Sequence, residues 1–596
     1  LGNTTSYIYD DNGNITGVTK PNGETIHTDY DEENRIKTIK AGDNTLWNYI
    51  YENGLVTILS GNNAPLRTLE YFDNGLLKSI NYHDGNSLIE FNYLGDQYLS
   101  NISHSSYYNQ STKLEYVPDE SYKTKEIKRN DVSIVSLGYE KTGLPETISF
   151  NNGSKYNKGY QNGRLDNETI YTNPTITYQS FKYAYDNNNN ITGITTNNGT
   201  ISYDYDALNQ LTKETLLDGT EIVYDYDDAG NRTLKKVTKN GQTTTIISQF
   251  NKANQLEKIG DKILTYDKNG NIKSDGEYTY YFNEFDQLIK IQDSTGKTIA
   301  EYGYNEEGNR DFSKNSQGTT LYQYNGDKVL YETDGNNNVI KEYTYDDNGT
   351  PLTMTYRGVM YYYLTNYRGD VLGLTDKDGK VVAAYTYDAW GNILSQSGEL
   401  SAINPYRYAG YRYDDETKLY YLIARYYNPE NGSFLSLDPV RGDLMEPLTL
   451  NGYSYVNNNP VMFNDPSGES AKELLARVKY GFKQALKLLL ESWGVPRGLG
   501  EKIVSSAVAF IGGTATFRRF TSKNVGSYNA YKSQVRLISQ RSGKSLIRYA
   551  KQSLRRALGK RAVSMMIGGV GGIVAMEATI FTYNVIYYAL AYKPKK

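Results

Sequence analysis

The 596-residue chain has no cysteine, three tryptophans, 14 prolines and only three histidines, His27, His83 and His104. Without cysteine there is no disulfide scaffold, thiolate zinc site or thiol nucleophile, and three scattered histidines do not make a histidine-rich metal site. No metal and no cofactor are expected. The chain opens at Leu1 with neither an initiator Met nor a charged and then apolar leader, so it reads as a fragment entered in mid-repeat, and the missing leader says nothing about secretion. Its length is well past the size at which one hydrophobic core stops growing, which excludes a single compact domain.

Tyrosine is abundant instead: 60 residues against 15 phenylalanines, together with 54 glycines. That combination suits many short strands and turns. The net charge of −4 conceals an uneven distribution. Residues 469–596 hold 23 Lys and Arg and five acids, Glu469, Glu473, Glu491, Glu501 and Glu577, for a charge of +18; residues 1–468 carry −22. A large acidic module and a small basic one share the chain, as container and cargo would.

The acidic module is repetitive. YxYDxxGN followed by apolar residues recurs as YIYDDNGNITGV at Tyr7, YAYDNNNNITGI at Tyr183, YDYDALNQLTKE at Tyr203, YDYDDAGNRTLK at Tyr224, YTYDDNGTPL at Tyr343 and YTYDAWGNIL at Tyr385. The second tyrosines fall 20 or 21 residues apart, as in Tyr185, Tyr205 and Tyr226, or at twice that spacing. YxY alternates as a strand does and places both rings on one face, while DxxGN supplies turn positions. Each repeat is therefore expected to be a β-hairpin, and hairpins stacked edge to edge to form a long, twisting sheet. The repeat Asp and Asn residues are read as turn chemistry, and none is nominated as catalytic.

Residues 406–468 contain RYYNPENGSFLSLDP, YSYVNNNP and NDPSG. This stretch resembles the core segment that closes the repeat array of Rhs/YD-repeat proteins. The resemblance implies a mostly β fold, in which a spiral of YD-repeat hairpins forms a hollow shell sealed by the core segment and a variable C-terminal toxin is carried inside. The divisions it implies are a repeat shell over 1–404, the core over 405–468 and a small α-helical toxin domain over 469–596. In toxin-carrying members the core is also an aspartyl autoprotease, and the matching positions here are Arg425, Asp438 and Asp465. Two carboxylates brought close do not both ionise, so one keeps a proton while the other activates water. The alternative is a turn role, because both aspartates precede proline. Many relatives have Leu after DPxG, whereas this chain has Glu469; the cut is expected close after Gly468 or Glu469, where the charge changes sign.

The tail changes character. Leu474, Val478, Phe482, Ala485, Leu489 and Trp493 recur at helical spacing up to Gly494 and Pro496, and a basic helix is expected over 544–561. Residues 562–592 form a 31-residue stretch whose one ionisable acid is Glu577. That length spans a bilayer, Gly568 and Gly572 form a small-xxx-small pair, and Glu577 opposes insertion unless it is neutralised or faces a pore. A buried helix pair in a soluble domain is the alternative. The tail has no His, Cys or Asp, which argues against most hydrolytic nuclease, deaminase and protease designs.

The sequence is thus read as a secreted or cell-surface bacterial polymorphic toxin whose cationic effector is freed by self-cleavage and permeabilises an anionic target membrane. Its expected partners are that membrane, a cognate immunity protein and a secretion machinery. The first rival is a His-free, nucleic-acid-directed effector with Arg518, Arg519, Arg541, Lys544, Arg548 and Arg555 on phosphate; the second is a non-toxic surface adhesin.

Overall fold

The computed structural model describes residues 3–469, apart from 84–86, 96–97, 106–110, 141–143, 162–163, 441 and 443–446. By compactness the chain divides into a unit of Leu1–Arg441 with Asn451–Ser470 and a unit of Gly442–Leu450 with Ala471–Lys596. The first unit carries every described strand. The helical tail expected after Glu469 lies outside the described residues.

Strands pair antiparallel with their sequence neighbours. A 25-stranded meander runs from Ser6–Tyr9 to Lys262–Ile263. A 14-stranded one follows from Thr265–Tyr266 to Ile393–Ser397. A third sheet of four short strands runs from Arg412–Asp414 to Ser433–Phe434. The repeat motif accounts for the turns. Asp186 Oδ1 accepts the N–H groups of Asn188 and Asn190, both at 2.8 Å, while Asn190 Nδ2 donates to Asp186 Oδ2 at 2.9 Å and to Asn209 Oδ1 of the next repeat at 2.8 Å. The fourth position of DxxGN needs a left-handed backbone, met by Gly230 at φ 74° and by Asn189 at φ 68°.

The motif also explains the choice of tyrosine over phenylalanine. At its second tyrosine the strand register shifts, as at Tyr205, Tyr226 and Tyr345. The side chain then reaches the preceding strand and donates its hydroxyl to a backbone carbonyl 14 to 16 residues upstream: Tyr205 to Ile191 O at 2.7 Å, Tyr226 to Leu211 O at 2.6 Å, Tyr304 to Leu288 O at 2.6 Å and Tyr387 to Val371 O at 2.7 Å. A phenylalanine at these sites keeps the packing and loses the hydroxyl's hydrogen bond.

The two large sheets lie against one another. Lys20 pairs with Asp286 across 266 positions, Thr112 with Glu342 across 230, Thr124 with Asp347 across 223, Tyr178 with Leu372 across 194, and Ala389 donates to Glu214 across 175. The steadily falling separation describes a winding that tightens toward the core segment, the expected result when a twisted sheet curls to bury its apolar face. Ile58, Ile80, Ile89 and Phe91 pack with Leu330 and Tyr331, and farther along Ile127, Phe150 and Ile170 pack with Leu352, Tyr362 and Leu364.

The core segment fastens to the repeat turns. Asn451 Nδ2 donates to Asn231 Oδ1 at 2.7 Å, Asn458 Nδ2 to Gln210 Oε1 at 2.9 Å, Asn459 Nδ2 to Asn190 Oδ1 at 3.0 Å, and Tyr453 to Gly270 O at 2.7 Å. The asparagines around YSYVNNNP thus meet the last motif position of successive repeats. Buried ion pairs tie the small sheet to the second large one: Arg310 to Asp414 at 2.6 Å and Arg412 to Glu332 at 2.5 Å. Burial pushes the Glu332 carboxyl up, but Lys341, Arg412 and the Tyr343 hydroxyl outweigh it and hold the group down at about 2.

Tyr226→Phe is expected to lower stability by about 1 kcal/mol, read as a fall in the thermal midpoint. Glu332→Gln, which leaves Arg412 buried without its charge partner, is expected to cost about 3 kcal/mol. Because the folded-state pKa of Glu332 lies below its unfolded value, its contribution is present above about pH 4.5 and is lost as pH falls through about 2. The difference between parent and Glu332→Gln in acid unfolding checks the sign.

Candidate active site

The small sheet delivers Arg425 as the first residue of the strand Arg425–Asn428. Its side chain is buried with the guanidinium carbon 3.6 Å from the centre of the Phe434 ring, a cation–π contact that fixes the plane of the fork. Nη1 donates to Gly452 O at 2.9 Å. Nη2 lies 2.7 Å from Asp438 Oδ2 and 3.6 Å from Asp465 Oδ2, and Nε donates to Gly468 O. One guanidinium therefore holds both predicted carboxylates and the carbonyl of Gly468, one of the two residues after which the cut is expected.

The aspartates come from different segments and have different surroundings. Asp438 Oδ1 accepts Val440 N–H at 2.8 Å, and its own N–H donates to Gly452 O at 2.9 Å. Burial raises the Asp438 carboxyl to about 6; Asp465 and Glu469 add to the rise, while Arg425 and the Val440 N–H oppose it. Asp465 is buried, its N–H donates to Tyr411 Oη at 2.6 Å, and its Oδ1 accepts Glu469 N–H at 3.1 Å and Ser467 Oγ–H at 3.4 Å. Burial also pushes the Arg425 guanidinium below its usual value, against the pull of Asp438 and Asp465.

The Gly468–Glu469 peptide is gripped at both ends, its carbonyl oxygen by Arg425 and its N–H by Asp465. A carboxyl raised to about 6, which keeps its proton below that pH, a second carboxylate acting as acceptor and a cationic donor on the carbonyl are the parts needed to add water to one amide. The structure brings together the five core-segment residues named from sequence: Arg425, Asp438, Asp465, Gly468 and Glu469. Both aspartates do sit in turns before proline, so the turn role and the clustering coexist. Sequence reasoning missed Tyr411, Phe434, Gly452 and Ser467, which act through a phenol oxygen, a ring face, a carbonyl and a hydroxyl and carry no chemical signature of their own.

The remaining candidates, Gly568, Gly572, Glu577, Arg518, Arg519, Arg541, Lys544, Arg548 and Arg555, lie outside the described residues. Among the described residues, no helix is long and apolar enough to cross a membrane. In a titration of the aspartate carboxyl ¹³C resonances, Asp438 is expected to show a midpoint near 6, and Asp465→Asn is expected to lower it by removing a neighbouring negative charge.

The Teneurin YD-shell family model matches residues 171–461, and the RHS Repeat model matches residues 1–25 and 9–46. The tRNA3(Ser)-specific nuclease WapA of Bacillus spizizenii is 49% identical over 268 residues, 44% of this chain and 12% of that protein. The tRNA nuclease WapA of Bacillus subtilis strain 168 is 48% identical over the same shares. Human teneurin-4 is 26% identical over 272 residues, 44% of this chain and 10% of that protein. The match thus spans only about an eighth of the length of the WapA relatives. Among solved structures, TcdB2-TccC3 superposes with a TM-score of 0.61 at 16% identity, over 78% of this chain and 28% of that one, a likeness of fold.

Proposed function

We propose that this chain, which belongs to the Rhs/YD-repeat family, is the self-cutting carrier of a C-terminal toxin. The observation that carries the proposal is the Gly468–Glu469 peptide held between Arg425 and Asp465. Asp465 takes a proton from water, and the resulting hydroxide adds to the Gly468 carbonyl carbon. Asp438 in its protonated form and Arg425 stabilise the oxyanion. Collapse breaks the C–N bond, and Asp465, 3.1 Å from Glu469 N, passes its proton to the departing amine. The products are an amine on Glu469 and a carboxylic acid on Gly468, which releases its proton to solvent to become the carboxylate. Glu469 replaces an apolar residue at this point, and its carboxylate is one of the charges that keep Asp438 protonated.

The freed tail, 469–596, is the effector. The names of the WapA relatives support a tail directed at RNA, with Arg518, Arg519, Arg541, Lys544, Arg548 and Arg555 on phosphate. Membrane insertion of 562–592, with Gly568 and Gly572 at a helix contact, is the second reading; it is favoured by that apolar stretch and by a tail without His, Cys or Asp. On either reading the protein is secreted by, or displayed on, the producing bacterium, which needs a secretion machinery and a cognate immunity protein. Anionic lipid is a partner only on the second.

Full-length chain is expected to yield a tail-sized product beginning at Glu469, and Asp438→Asn or Asp465→Asn to remain whole; a parent chain that stays intact contradicts the proposal. The cutting rate is expected to fall as pH rises through about 6, where Asp438 loses its proton. The processed protein, tested against tRNA and against dye-loaded anionic vesicles, separates the two tail readings: tRNA cleavage without dye release supports the first, and dye release with intact tRNA the second. Neither result would contradict a toxic tail.

A further inference from the structure

We infer that the two-residue turn Ile423–Ala424 is a positioning element for the cut, setting which peptide bond lies between Arg425 and Asp465. The inference rests on the self-cutting reading above.

The turn joins Leu419–Leu422 to Arg425–Asn428, with Leu422 paired to Arg425. Links of this length favour Gly, Asn or Asp, because they demand a left-handed backbone. Here they are Ile and Ala. Ile423 has φ 61°, and Ala424 N–H donates to Leu422 O at 2.7 Å, closing a tight turn centred on Ile423. A β-branched residue in that region is strained, and such strain persists only where the surroundings impose it. Ile423 packs on the apolar cluster that includes Leu256, Tyr302, Tyr421 and Tyr426.

What the turn holds is the segment to be cut. Ala424 N–H also donates to Ser467 O at 3.0 Å. Leu422 O would stand 2.5 Å, and Arg425 N 3.1 Å, from a Cβ placed on Gly468, which itself has φ 72°. The chain therefore settles in this groove only with glycine at 468, with the preceding carbonyl pinned and the glycine stopped against the turn. From that seat Gly468 O meets Arg425 Nε and Glu469 N–H meets Asp465. Residues 422–424 meet the substrate segment at Ser467 O and at the α-carbon of Gly468, so they govern register and approach rather than chemistry.

The test uses the full chain, reading the rate of cutting and the N-terminal residue of the released fragment by mass spectrometry, with each variant also made in the Asp465→Asn background to compare thermal midpoints. Gly468→Ala is expected to cut about 100-fold more slowly, as for a misplacement of about 1 Å. Ile423→Gly, which frees the turn, is expected to slow the cut by a similar factor or to scatter it over neighbouring bonds. Ile423→Asn, which accepts the left-handed backbone, is expected to keep one cut before Glu469 at near the parental rate. Parental rate and a single cut in both Gly468→Ala and Ile423→Gly would overturn the inference, as would equal loss in Ile423→Asn and Ile423→Gly, which assigns the effect to side-chain packing. A parent chain that never cuts instead overturns the self-cutting reading, and this inference with it.

Discussion

The fold depends on a hydrogen bond from a tyrosine hydroxyl to the backbone of a neighbouring hairpin. A lone hairpin is marginal in water, and each copy of the motif gains stability from its neighbour through that bond, through the Asn ladder at the turns and through the shared apolar face. Because every link joins adjacent copies, the array grows as one meander and its twist accumulates in one sense. The winding in turn brings Lys20 to Asp286 and Glu214 to Ala389, closing the second sheet on the first. Without it the core segment would have no ladder of turn residues to engage and Arg425 no enclosed place to sit.

The site uses burial as its main tool. Arg425 is a fixed fork with Phe434 behind it, and everything chemical is arranged on its rim: Asp438 and Asp465 on one nitrogen, Gly468 O on another. Desolvation lifts the Asp438 carboxyl to about 6 despite the nearby guanidinium, so the two acids differ in environment as well as in origin. The outward connections of the site are also structural ones. Tyr411, which accepts the Asp465 N–H, lies edge-on to Tyr408 and Tyr455 in the aromatic cluster under the small sheet. Disturbance of the fold at that cluster therefore reaches the chemistry directly.

Much of this was legible in the sequence. The 20- to 21-residue spacing of YxYD gave the hairpins, and the turn reading of DxxGN holds in detail at Asp186, Asn189 and Asn190. The three core residues were placed by motif, and they converge. Other features were not legible, for physical reasons. The work of a tyrosine hydroxyl depends on which carbonyl lies one hairpin away, and alternation along a strand says nothing about that. The tightening of the winding is a sum of small twists that no single repeat encodes. Ile423 is invisible because its local preference opposes its conformation: a β-branched residue predicts a strand, whereas here it packs on an apolar cluster in a left-handed turn.

On the self-cutting reading, water directed by the Arg425-bridged carboxylates breaks the bond after Gly468. Producing the chain in water enriched in ¹⁸O and digesting the products for mass spectrometry tests it most directly. The peptide ending in Gly468 is expected to carry one heavy oxygen in its new carboxylate, and the peptide beginning with Glu469 none from the cut. A terminal peptide ending at another residue, or a Gly468 terminus without label, would contradict it.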